Sequence, residues 1–136
     1  MKIVLDTNVL VSGLINPNGI PAQILNLILQ EELIVLYDSR IIEEYELVLS
    51  REKFGFEKEM IDPLLDYIKN VGIFILAKPV KINFPDDGDR KFYEIAKSGK
   101  AECLITGNMA HFPKDRWIKT PREFMQKYEK KQRAEE

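Results

Sequence analysis

Apolar and polar positions alternate along the chain in blocks that favour strands and helices in turn. Ile3 to Leu5 is an unbroken apolar run stopping at Asp6-Thr7-Asn8, the pattern of a buried strand with polar residues at its C-terminal end. Asn16-Pro17-Asn18-Gly19 is a strong turn signal. Pro21 suits a first helical turn, and Ile20, Ile24, Leu27 and Ile28 keep helical spacing, which predicts a helix over about 21–31. Leu33 to Tyr37 predicts the second strand. Asp38-Ser39 offers an N-cap for a helix over about 40–50, marked by Ile41, Ile42, Tyr45, Val48 and Leu49.

After a break at Phe54-Gly55-Phe56, a helix is predicted over about 57–70 with Met60, Leu64, Leu65 and Ile68 inward, and then a strand from Ile73 to Leu76. Pro79 to Pro85 reads as a loop. Asp86-Asp87-Gly88-Asp89 opens the next helix, whose apolar side is Phe92, Ile95 and Ala96 and whose C-cap is Gly99. Cys103 to Ile105 is a fourth strand, followed by Thr106-Gly107-Asn108. Trp117-Ile118 gives a short fifth strand, and Pro121 begins a last helix that is expected to fray into the charged KKQRAEE tail. Strands alternating with helices give an α/β fold with a mainly parallel sheet of four or five strands. No repeat or linker divides the chain, so residues 1–125 read as a single domain and 126–136 as a charged tail.

At 136 residues the chain has the size of one domain, large enough to bury a core without staples. Cys103, its one cysteine, excludes an internal disulfide and suits a reducing compartment. Asp6 interrupts the N-terminal apolar stretch too early for a secretory signal, and no apolar run approaches a membrane span, so the expected location is cytoplasmic. The net charge of −2 gives no basic excess of the kind that marks many nucleic-acid binders, although an acidic metal site hides part of its balance in the bound cation.

The acidic residues carry the candidate chemistry. In open parallel sheets, sites form beyond the carboxyl ends of the strands. Asp6 follows the first strand, Asn108 the fourth, and Asp86, Asp87 and Asp89 lie on the way into the helix after the third. The apolar stripe of the 40–50 helix is centred near Tyr45. Glu43 lies almost opposite that stripe, while Glu44 borders it. Asp89, three residues before Phe92, faces inward and Asp87 points away. Asp6, Glu44 and Asp89 are therefore the carboxylates expected to converge. Three such groups repel one another, and a hard divalent cation relieves that repulsion, with oxygen-only ligands favouring magnesium or manganese over zinc. Such a site can activate a water against a phosphodiester. Simpler roles stay open at each position: Asp6 can start a turn, Glu44 can be a solvated helix residue, and Asp89 can favour a helix N-terminus. His111 stays off the site, and Cys103 and Trp117 read as packing. Arg40, Arg51, Lys53, Arg90 and Lys91 could line a path for an RNA backbone, but isolated basic residues on helices are usually solvated, and that reading is favoured.

LDTNVLVSGL, SRIIEEYELVLSREKF, FPDDGDRKFYEIA and LITGNMAHFP, in that order from Met1 to about Phe124, together resemble a PIN domain. They most resemble the toxin branch (VapC-like) of toxin–antitoxin systems. The resemblance implies a three-layer α/β/α nuclease fold with acidic magnesium or manganese ligands at Asp6, Glu44 and Asp89. It puts Thr7, Asn8 and Thr106 at supporting polar positions, and Asn108 where many PIN domains have a fourth aspartate. Asn108 joins the three carboxylates as a catalytic position, with Asp86 an alternative source of the missing carboxylate. The implied activity is metal-dependent endoribonuclease cleavage of single-stranded RNA, with an antitoxin protein as partner and assembly into a homodimer or higher oligomer. Two rivals use the same residues: a PIN-fold binding module for RNA or protein that no longer cuts, and a metal phosphohydrolase acting on small phosphate esters.

Overall fold

The computed structural model describes residues 1–135. Its chain order is β1 (Lys2–Leu5), α1 (Thr7–Ile15), α2 (Ile20–Leu29), β2 (Ile34–Tyr37), α3 (Ser39–Leu49), α4 (Lys58–Val71), β3 (Ile73–Phe74), α5 (Arg90–Ser98), β4 (Cys103–Ile105), β5 (Ile118–Lys119) and α6 (Pro121–Glu135). Short 3-10 turns occupy Glu52–Phe54, Asp87–Asp89 and Met109–His111. The five strands form one sheet in the order β3-β2-β1-β4-β5, with every neighbouring pair parallel. Helices α1, α2 and α6 group on one side and α3, α4 and α5 on the other, giving three layers. β1 and β4 are covered on both faces, so Ile3, Val4, Leu5, Cys103, Leu104 and Ile105 are all buried. That is why these strands read as unbroken apolar runs rather than as alternation.

The chain steps outward from β1 in both directions, to β2 and β3 on one side and to β4 and β5 on the other. The topological switch point therefore falls between β1 and β4, where Asp6 and Thr106 emerge.

Several elements differ from the pattern. The sequence predicts no helix over 7–15, yet α1 lies there. Val9, Leu10, Val11 and Gly13 are all buried, and the outward side is only Asn8, Ser12 and the apolar, 56% exposed Ile15, too short and too mixed to give a clear 3.6-residue signal. In α4 the inward residue of the first turns is Ile61, and Met60 is exposed. β3 ends at Phe74 rather than Leu76: the Ile75 N–H donates to the Tyr37 carbonyl at 2.8 Å, after which the chain leaves the sheet edge and Leu76 is 89% exposed. β5 falls one residue later than Trp117-Ile118. Gly99 closes α5 in helical conformation, and the left-handed residue is Lys100, at φ 54°. The expected frayed tail is instead the continuation of α6, held by Tyr128 against Phe124 and by Lys131 3.5 Å from Glu102; Glu136 lies outside the described residues.

Candidate active site

Beyond the ends of β1 and β4 opens a cavity of about 460 Å³ whose lining includes Asp6, Thr7, Asn8, Glu44, Asp86, Asp89 and Asn108. Asp6 enters it because β1 stops there. The Asp6 N–H donates to the Ile105 carbonyl at 2.9 Å, and the Asp6 carbonyl accepts from Val9, which starts α1. The buried Tyr45 hydroxyl donates to the Leu5 carbonyl and pins the strand end one residue earlier. Thr106, fully buried at the end of β4, donates its hydroxyl to Asp6 Oδ2 at 2.7 Å and accepts the Asn108 N–H at 2.9 Å. One hydroxyl thus joins the two strand ends. Asn8 Oδ1 accepts from the Gly107 N–H at 3.4 Å, a second tie between the same segments.

Glu44 reaches the cavity from α3. Tyr45 is buried in the core and Glu43 is exposed, so Glu44 falls at the border of the buried stripe. Its carboxylate accepts from the Thr7 hydroxyl and pairs with Lys91 Nζ at 2.7 Å. Asp89 ends the turn that leads into α5, where Phe92 is buried, and it meets His111 Nδ1 at 3.0 Å. Asp86 caps the same turn by accepting from the Gly88 N–H at 2.9 Å. Asp87 faces away and pairs with Arg90 at 2.7 Å. Asn108 is exposed at the cavity wall.

The electrostatics follow from this crowding. The Asp6 carboxyl is pushed up from 3.8 to about 6, chiefly by burial; the Thr106 hydrogen bond opposes the rise, and the negative charges of Asp89 and Glu44 add to it. Asp89 is raised as well, first by burial, against the opposing pull of His111 and with Asp86 and Glu44 adding. Burial and the carboxylates of Asp6 and Glu44 hold the Tyr45 hydroxyl well above its ordinary range.

Among the described residues no group of three or more His, Cys, Asp or Glu side chains is placed as it stands to hold a metal ion. The reason is visible in the partners: Glu44 is turned onto Thr7 and Lys91, Asp89 onto His111, and Asp6 onto Thr106. The donor chemistry nevertheless fits a hard divalent cation. All the carboxylates facing the cavity are oxygen donors, and their mutual repulsion is the penalty that a cation removes.

Lys91 and His111 enter the site although periodicity gave no reason to put them there. Both are reached by contacts between distant parts of the chain, Glu44 with Lys91 and Asp89 with His111. Arg51 and Phe54 also line the cavity.

A profile of the PIN domain matches residues 2–110, which spans β1 through the turn after β4. This chain belongs to the PIN-domain family. PIN domains are generally nucleases and typically use divalent metals, so membership points to a nuclease-type function. The chain is also 32% identical over 146 residues to an uncharacterized protein of Methanocaldococcus jannaschii, covering 96% of this chain and 93% of the relative. Among the described residues no helix is long and apolar enough to cross a membrane.

Proposed function

We propose that this PIN domain is a metal-dependent endoribonuclease that cleaves single-stranded RNA. The observation that carries the reading is the meeting of Asp6, Glu44 and Asp89, from three separate segments, around one cavity at the sheet's switch point. Asp6, Glu44 and Asp89 would hold magnesium or manganese. A divalent ion bound there supplies a water of lowered pKa and positive charge for the phosphodiester. The protein's own residues do the rest. Thr106 fixes the Asp6 carboxylate and, through the Asn108 N–H, the loop after β4. Thr7 orients Glu44, and His111 orients Asp89. The Lys91 ammonium partly neutralises the carboxylate cluster before a cation arrives, which limits the repulsion felt by an incoming phosphate.

The resemblance to the toxin branch supports a role as the toxin of a toxin–antitoxin pair, with an antitoxin protein as partner and a homodimer or higher oligomer as the assembled form. A second reading, a PIN-fold module that binds RNA or protein without cutting, draws on Asn108, which offers no charge at the exposed position after β4, and on Lys91, which already occupies Glu44.

Incubation of labelled single-stranded RNA with the protein in manganese, in magnesium and in EDTA separates the two. The nuclease reading expects cleavage with either metal, none in EDTA and none by Asp6→Asn. Intact RNA under all conditions, across varied sequences, favours the binding module.

A further inference from the structure

Five cations lie on the segments that surround the acidic cavity, and three of them are already spoken for. Arg40 pairs with Asp38 at 2.7 Å and with Glu94 at 2.8 Å. Arg90 pairs with Asp87 and donates to the Val80 carbonyl, both at 2.7 Å. Lys91 pairs with Glu44. Among the described residues only Arg51 and Lys53 of this set form no ion pair, and both belong to the corner between α3 and α4.

That corner has a defined shape. After α3, Arg51 adopts an extended conformation at φ −65° and ψ 133°, and Glu52–Phe54 make a single 3-10 turn. Gly55 then takes φ 66°, a left-handed conformation that favours glycine, and reverses the chain. The reversal lays Phe56 on Phe54, with centroids 5.7 Å apart and planes 19° from parallel. Lys53 Nζ sits 5.1 Å from the Phe54 centroid. Both rings are half-buried rather than sealed in the core. Arg51 and Phe54 line the same cavity as Asp6, Glu44 and Asp89.

The chemistry of this arrangement matches a nucleotide. A cavity walled by carboxylates repels a phosphodiester, and an uncommitted guanidinium on its rim supplies attraction where the backbone must enter. An aromatic ring beside that guanidinium gives a base something to stack on, and any base can use it because every base has a π face. A base inside a duplex is already stacked and paired, so it cannot present that face.

Resting on the ribonuclease reading above, we propose that the 51–56 corner is the substrate lip of this site: Arg51 holds a phosphate flanking the cut, and Phe54, backed by Phe56, stacks a neighbouring unpaired base, selecting single strands over duplexes. Arg51 and Phe54 are then specificity-determining residues rather than groups that touch the metal.

The test is steady-state cleavage of labelled single-stranded RNA in manganese by wild type, Phe54→Leu, Phe54→Tyr and Arg51→Gln. One base–aromatic stack corresponds to about fivefold or more in affinity. Phe54→Leu, which keeps the apolar bulk, should raise KM by that factor with kcat largely held, and Phe54→Tyr should restore it. Arg51→Gln should reduce the slope of log kcat/KM against log salt by about one. Calorimetric manganese binding unchanged in all three variants assigns the losses to RNA rather than to a damaged site. Unchanged KM in Phe54→Leu together with an unchanged salt slope in Arg51→Gln overturns the lip while leaving the ribonuclease standing. Failure of the wild type to cleave any RNA removes the ribonuclease reading and the lip with it.

Discussion

Asp6 holds its charge in a place that penalises it, and this can be measured without any substrate. The residue is 5% exposed and its carboxyl pKa rises from 3.8 to about 6 in the fold. A shift of that size corresponds to about 3 kcal/mol of native-state destabilisation once the group is ionised. The direction follows from proton binding. The folded chain holds this proton more tightly than the unfolded chain, so the metal-free protein loses stability as pH rises from about 4 to about 6, and the loss stays constant above that. The amide of an Asp6→Asn variant cannot ionise and escapes the penalty, while its carbonyl can still accept from Thr106. Urea unfolding in EDTA should therefore find Asp6→Asn more stable than wild type by up to about 3 kcal/mol at about pH 7.5. The gap should shrink to under about 1 kcal/mol near pH 4. A wild type that is the more stable of the two at the higher pH, or a gap that ignores pH, would refute the reasoning. The same variant should lose RNA cleavage, so stability and function pull in opposite directions at one residue.

Other outcomes follow from particular contacts. Gly72→Ala should cost roughly 2 kcal/mol or more, because its Cβ would lie 2.5 Å from both the Ile68 and Val35 carbonyl oxygens; a urea midpoint close to wild type would mean that the backbone there can give way to a methyl group. Lys91→Gln should bind manganese more tightly than wild type in calorimetry, since Glu44 no longer has to share its charge with an ammonium 2.7 Å away. Weaker binding in that variant would mean that Lys91 helps to build the metal site rather than to shield it.

The parts of the fold whose burial leaves a plain mark on the sequence, either an unbroken apolar run or a one-sided stripe, were the legible ones. β1 and β4 announce themselves as apolar runs because both of their faces are covered, and α3 is legible because Tyr45 and Leu49 are buried while Glu43 and Glu46 are exposed. The phase of α3 also put Glu44 rather than Glu43 at the cavity, and Phe92 did the same for Asp89. α1 was illegible because its outward side is only Asn8, Ser12 and the apolar Ile15, which breaks the polar stripe of a short helix. β3 was overextended because its apolar residues continue past the last strand pairing onto an exposed edge. In the site, His111 was left out and Lys91 read as a solvated cation, because pairing between residues far apart in the chain leaves no mark on local spacing. Arg51 and Lys53 could not be singled out from the five cations that could line an RNA path; what distinguishes them is that Arg40, Arg90 and Lys91 all have carboxylate partners, which spacing alone does not assign.

The most direct measurement is a calorimetric titration of manganese into the purified protein near neutral pH, repeated with Asp6→Asn and Asp89→Asn. A shared site predicts saturable binding in wild type that is lost or strongly weakened in each variant. Binding that survives both substitutions, or no binding in wild type, would contradict a metal centre built from these carboxylates.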